Sequence, residues 1–264
     1  MTRTSRFTSL FSGRKPIIGV IHLPPLPGYT ESPGIEGVVA KALVDLDALH
    51  AGPVDGVLVE NEEDRPHRIE ASRETIAAMT RVARELVLRA RVPVGVEILL
   101  NDPEASLAVA SMAGAAFIRT DYFVDPMERP EHGGRMRIDP DAVIRYRSRI
   151  GARDVLVLAD IQVKYARMLV ERGLGESARL AGLAAADAIL VTGRATGEPP
   201  SVRDLEEAKQ GDSDLPVLVG SGLDLSNVGE LLRVADGAVV GTSLKKGDYV
   251  AAEKVIALIR EARQ

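Results

Sequence analysis

Eight short apolar runs punctuate the chain, and each gives way to a polar turn and then to a helical stretch. The runs are PIIGVIH (16–22), DGVLVEN (55–61), VPVGVEI (92–98), AAFIRTD (115–121), DVLVLAD (154–160), DAILVTG (187–193), LPVLVGSG (215–222) and DGAVVGTS (236–243). They are apolar nearly throughout rather than alternating, as strands buried on both faces are. Between them the period changes to that of a helix. In SRETIAAMTRVARELVLRAR (72–91), Ile76, Met79, Val82, Ala83 and Leu86 fall on one face, and Ser72 stands where an N-cap belongs. DPEASLAVASMAG (102–114) has Asp102 as cap, Pro103 at the first helical position and Gly114 at the end.

Eight strand–helix units at even spacing predict an α/β fold of the (β/α)8 TIM-barrel type. The chain's 264 residues agree with the roughly 250 typical of that fold. A doubly wound open sheet would place a GxGxxG turn after the first strand, and none is there. No break in composition marks a second domain, so residues 1–264 read as a single barrel domain with an N-terminal arm over 1–15. That arm, MTRTSRFTSLFSGRK, has no acid and lacks the apolar stretch of a secretory signal. It is expected to pack on the barrel bottom or on a partner. Its Phe7, Leu10 and Phe11 suit self-association, so a homo-oligomer is expected. Two connections are long, 121–138 and 193–201, and read either as lids or as plain insertions.

Composition narrows the function classes. A net charge of −5 argues against nucleic acid as the partner. With no cysteine there is no disulfide, thiolate metal site or cysteine nucleophile. Aromatic residues are only 3%, too few for a series of base-stacking platforms. No apolar run spans a bilayer, and a cytoplasmic location is expected. His50, His67 and His132 lack metal-ligand spacing and read as surface residues.

In barrels the chemistry sits at the C-terminal ends of the strands. There the chain carries His22, Glu60, Glu97, Arg119, Asp121 and Asp160, with Lys164 just beyond. A charge that directly follows buried apolar residues is costly unless it is paired or used. Three chemistries suit the set. A carboxylate with Lys164 can move a proton beside a carbonyl. Lys164 can form a Schiff base. Glu60, Glu97, Asp121 and Asp160 can share Mg²⁺. Asn61, Thr192, Gly193 and Thr196 belong to the same rim as candidate substrate or lid residues. The last two units end in VGSG and VGTSLK. Gly220, Ser221, Gly222, Gly241, Thr242 and Ser243 form a candidate phosphate site there, with backbone N–H groups free to approach an anion.

IHLPPLPG (21–28), DGVLVENEEDRPHR (55–68), FIRTD (117–121), ADIQVKYA (159–166), ILVTGRATGEPPSV (189–202), PVLVGSG (216–222) and DGAVVGTSLKKGD (236–248) together resemble the BtpA family, which includes the SgcQ-like proteins. The resemblance implies a barrel of the ribulose-phosphate-binding kind. It also implies one of two roles. One is an enzyme, an isomerase, lyase or hydrolase, acting on a small phosphorylated sugar or nucleoside-like substrate. The other is a non-catalytic assembly or stability factor for a membrane complex such as photosystem I, with peripheral membrane association. Family members often read ADVHVKHA where this chain has Gln162 and Tyr165, so roles needing those histidines do not carry over. Asp160 and Lys164 do match.

Overall fold

The computed structural model of the chain describes residues 3–264. A short helix, α1 (Arg3–Leu10), precedes strand β1 (Ile17–His22). Helix and strand then alternate through α2 (Gly34–Ala51), β2 (Gly56–Glu60), α3 (Arg73–Arg89), β3 (Val94–Glu97), α4 (Pro103–Ala113) and β4 (Phe117–Thr120). After β4 the chain makes an excursion through β5 (Met127–Arg129), a 3-10 turn (Pro130–His132) and β6 (Gly134–Arg135), and then enters α5 (Pro140–Arg149). Next come β7 (Leu156–Ile161), β8 (Arg167–Met168), α6 (Leu174–Leu183), β9 (Ala188–Val191) and α7 (Val202–Gly211). The chain ends with β10 (Val217–Val219), α8 (Val228–Val234), β11 (Gly237–Val240), a 3-10 turn (Thr242–Leu244), β12 (Lys245–Lys246), β13 (Tyr249–Val250) and α9 (Ala252–Ala262). Among the described residues no helix is long and apolar enough to cross a membrane.

The expected TIM barrel is present. Strands β1, β2, β3, β4, β7, β9, β10 and β11 close in that order, all parallel, with β11 pairing back onto β1. All eight strands coincide with the eight apolar runs. The caps also match: Ser72 accepts from the Thr75 N–H and Asp102 from the Ala105 N–H, while Gly114 closes α4 at φ +83°. The 121–138 connection is not a plain loop. Its two short strands pair with β8 as a three-stranded sheet in the order β6, β5, β8. Strands of two or three residues are too short to show a period, which is why this sheet is invisible in the pattern.

Side chains of the barrel strands divide between two cores. One lies between strands and helices and includes Ile17, Val57, Val96, Ile118, Val157, Ile189 and Val217. The other fills the barrel with Ile18, Val20, Leu58, Phe117, Leu156, Leu158, Leu190, Leu218 and Val239. Gly95 makes room for Phe117, since a Cβ there would lie 2.0 Å from the ring. Phe7 and Phe11 of the N-terminal arm belong to the interior cluster, each 3% exposed. Phe11 packs edge-on against Phe117 with ring centroids 5.9 Å apart. The arm thus plugs the barrel bottom, and these two rings are spent inside the chain rather than offered to a second copy. Arg6 ties the plug down through Asp187 at 2.7 Å, a carboxylate that Arg147 also holds at 2.8 Å.

Phe11→Ala should therefore open a cavity at the sealed end. The expected cost is about 3–5 kcal/mol of unfolding free energy, read as a lower urea midpoint with ligand binding at the opposite end unchanged.

Candidate active site

Strand side chains alternate with period two, so the interior positions can be followed upward from the apolar core. Val20 is followed by His22, Leu58 by Glu60, Gly95 by Glu97, and Phe117 by Arg119 and Asp121. Leu158 is followed by Asp160, Leu190 by Thr192, Leu218 by Gly220 and Val239 by Gly241. The top interior layer is thus ionisable on five strands and small on three. His22 pairs in register with Glu60, and Glu60 with Glu97. A cavity of about 1060 Å³ opens above this layer. On the side where Gly220 and Gly241 contribute no side chain, it reaches down to Val20 and Val239.

Arg119 is the centre of the layer and is 5% exposed. Its Nε and Nη2 each donate to Asp160, at 2.9 Å, in a two-pronged pair. Nη1 lies 3.4 Å from Glu60 Oε1, and Nε lies 3.6 Å from Glu97 Oε2. Surrounding carboxylates hold the guanidinium charged despite its burial. This arrangement corrects the shared Mg²⁺ expectation: the guanidinium occupies the space between the carboxylates. Among the described residues no three His, Asp or Glu side chains are grouped as metal ligands.

The carboxyl groups differ in protonation. Burial would raise Glu60, but His22, Arg119 and a hydrogen bond from Glu97 outweigh it and hold Glu60 at about 2. Burial pushes Glu97 well above the carboxylate range, against the pull of Arg119 and aided by the charges of Asp121, Glu60 and Asp160. Glu97 is therefore held toward its neutral form beside the ionised Glu60. Glu97 Oε1 is buried without a hydrogen-bond partner, and the residue borders the cavity. Asp121 is raised to about 6 by burial and by Asp160, with Arg119 and Lys164 limiting the rise. On the other wall His22 Nε2 lies 3.5 Å from Glu60 Oε2, and Lys245 Nζ lies 3.5 Å from His22 Nδ1.

Other candidates take different places. Lys164 lines the cavity from the turn after β7. That turn is pinned where Gln162 N–H donates to Asp125 at 2.8 Å and Lys164 N–H to Thr192 Oγ1 at 3.1 Å. Asp160 is 1% exposed and lies outside the cavity lining, so its role is to hold Arg119. Asn61 is a brace, donating to Asp64 at 2.9 Å and accepting from the Leu99 N–H at 2.8 Å. Thr192 and Gly193 also brace, whereas Thr196 borders the cavity.

All six phosphate candidates line the cavity, but their hydroxyls are divided. Ser221 Oγ donates to the Glu198 carbonyl at 2.7 Å and accepts from the Gly193 N–H at 2.8 Å. Ser243 Oγ donates to the Leu223 carbonyl at 2.7 Å. These two hold loops together, and Thr242 keeps the free hydroxyl. Gly222, at φ +67°, is required by close approach: a Cβ there would lie 2.2 Å from the Glu198 carbonyl carbon. The 193–201 connection is therefore seated on the seventh-strand loop.

Several lining residues escaped the sequence reading. His67 and His132, expected on the surface, are half-buried and border the cavity, as do Arg65, Arg129 and Tyr165. They lie on loops and short strands whose path no local pattern specifies.

A parallel (β/α)8 barrel with a buried charged layer and two glycine loops at its open end defines the class. Within it, the chain belongs to the BtpA family, whose model matches residues 13–264. A relative from Synechocystis sp., the photosystem I biogenesis protein BtpA, is 36% identical over 252 residues, covering 89% of this chain and 82% of its own. The putative sgc region protein SgcQ of Escherichia coli is 35% identical over 236 residues, covering 88% of this chain and 87% of its own. Among solved structures, (S)-3-O-geranylgeranylglyceryl phosphate synthase from Thermoplasma acidophilum, in complex with sn-glycerol-1-phosphate, is similar with a TM-score of 0.63 at 15% identity. The alignment covers 99% of this chain and 98% of that one. Tryptophan synthase from Mycobacterium tuberculosis has the same TM-score at 16% identity, with 99% and 98% covered. At such identities the two structures bear on the fold alone.

The raised Asp121 has a consequence for stability. Its pKa rises from the usual 3.8 to about 6 on folding, so the folded state keeps a proton that the unfolded chain releases. Stability contributed by this group falls as pH rises from about 4 to 6. Asp121→Asn should match the parent near pH 3.5 and exceed it by about 3 kcal/mol at pH 7, measured as the difference in urea midpoints.

Proposed function

We propose that the chain is an enzyme acting on a small phosphorylated sugar or nucleoside-like substrate, by acid–base chemistry of the isomerase, lyase or hydrolase kind. The observation that carries this reading is the charged layer on the cavity floor. Folding alone would favour an apolar layer, because buried ion pairs rarely repay their desolvation. Here one carboxyl keeps its proton and another titrates at about 6, the tuning that proton transfer near neutral pH requires.

In this reading the phosphate sits against the loops after β10 and β11. Among the described residues no backbone carbonyl takes the N–H groups of Gly222 and Leu223. At the start of the turn Thr242–Leu244 the Thr242 and Ser243 amides stand beside them, while the Leu244 N–H is taken by the Gly241 carbonyl. The Thr242 hydroxyl and Lys245 add a donor and a charge. The reacting end then lies over Arg119. Asp121 gives or takes a proton on the β4 side, with Lys164 balancing its charge. His22, backed by Glu60, serves on the β1 side. Two proton carriers on opposite walls suit a reaction that moves a proton between two substrate atoms.

The name of the Synechocystis relative supports the second reading, a docking factor for a membrane complex. That role needs no open cavity lined by ionisable groups, and the one at the strand ends favours the enzyme.

Titration calorimetry with inorganic phosphate and ribose 5-phosphate tests the site. Thr242→Asp should weaken both by tenfold or more, about 1.4 kcal/mol, with an unchanged urea midpoint because Thr242 is exposed. Equal binding by the variant, or none by the parent, overturns the assignment.

A further inference from the structure

Arg129 and Tyr165 border the cavity, and the proposed chemistry uses neither. Around the barrel ring, the β4 strand that leads to Arg129 stands opposite β11 and its phosphate loop. The Arg129 guanidinium carbon lies over the Tyr165 ring, 5.4 Å from its centroid. The Tyr165 hydroxyl accepts the Thr196 N–H at 2.7 Å, and its own N–H donates to the Arg194 carbonyl at 3.3 Å. Tyr165 has φ +64°, a left-handed conformation that large side chains avoid. Such strain persists where the surroundings impose it, and it concentrates at functional sites. Core packing does not explain the strain, because the residue is 48% exposed.

The rest of this wall is of one kind. His67 and His132 add two planar side chains, and Pro66 and Leu100 add apolar surface. Its charges are matched locally: Arg129 pairs with Glu131 at 2.7 Å, and Arg65 with Glu62 at 2.7 Å. The wall therefore lacks the excess of positive charge that a second phosphate would need. The cavity's volume of about 1060 Å³ sits at the top of the roughly 300–1,000 Å³ range of pockets that bury drug-sized ligands. A bare sugar phosphate leaves much of it empty.

We infer that Tyr165 and Arg129 form a stacking platform for a planar heterocyclic or aryl group carried by the sugar phosphate. The substrate class is then a nucleotide-like glycosyl phosphate rather than a bare sugar phosphate. Guanidinium and tyrosine planes hold such groups by stacking and cation–π attraction. The strained turn, pinned through Thr196 and Arg194, presents the ring without loss of side-chain freedom on binding. The inference rests on the phosphate reading above for the other end of the molecule.

Calorimetry on the full chain with ribose 5-phosphate, adenosine monophosphate and uridine monophosphate tests it. At least one nucleotide should bind tenfold or more tighter than ribose 5-phosphate, the size of a single stacking contact. Tyr165→Leu should abolish that ratio and leave ribose 5-phosphate within twofold, while Tyr165→Phe keeps the ratio. Equal affinity of all three ligands for the parent overturns the platform. So does Tyr165→Leu weakening ribose 5-phosphate as much as the nucleotide, which would make Tyr165 a loop brace. Adenosine or uridine binding that depends on Tyr165, with no binding of inorganic phosphate or ribose 5-phosphate, supports the platform and overturns the phosphate reading.

Discussion

The contact on which the open end of this barrel depends is the buried grip of Arg119 on Asp160. It joins β4 to β7 through two parallel hydrogen bonds and reaches across the interior to Glu60 and Glu97 on β2 and β3. Four strands thus meet at one guanidinium. Breaking such a buried pair leaves an uncompensated charge, at a cost of about 3–5 kcal/mol. The layer also sets every protonation state around it. One cation cannot neutralise four carboxyls, so Glu60 stays ionised, Glu97 keeps its proton and Asp121 falls between.

Glycine shapes the other half of the mouth. Where β10 and β11 end in Gly220 and Gly241, the charged layer has a gap and the cavity deepens. Gly193 and Gly222 let the 193–201 connection rest on the seventh-strand loop. A Cβ at Gly193 would lie 2.3 Å from the Glu198 carbonyl oxygen. Ser221 fastens the contact with a bond in each direction. The same connection reaches Tyr165 through the Thr196 N–H. The candidate lid is thus tied both to the phosphate loop and to the strained turn that carries Lys164.

The match between pattern and structure is uneven for a physical reason. Continuous β-branched runs and capped helices report local burial on both faces of a strand or one face of a helix. Hence all eight barrel strands, and the caps at Ser72, Asp102 and Gly114, were legible. The period-two rule then carried His22, Glu60, Glu97, Arg119 and Asp160 to one interior layer. The sheet formed by β5, β6 and β8 was not legible, because its pairing joins segments about 40 residues apart through strands of two or three residues. With it went the positions of Arg129, His132 and Tyr165.

The sequence by itself determined the barrel, the strand ends and the family, since each is written in residue order and spacing. Only the tertiary structure decided what the polar residues do there. Whether a carboxyl is a brace, a reserved proton or a counter-ion depends on its distance to other charges and on the water removed around it. Asp160 became the anchor of Arg119, Asn61 and Ser221 became braces, and Glu97 became a neutral acid. Those roles arise from neighbours that lie far away along the chain and within 4 Å in the fold.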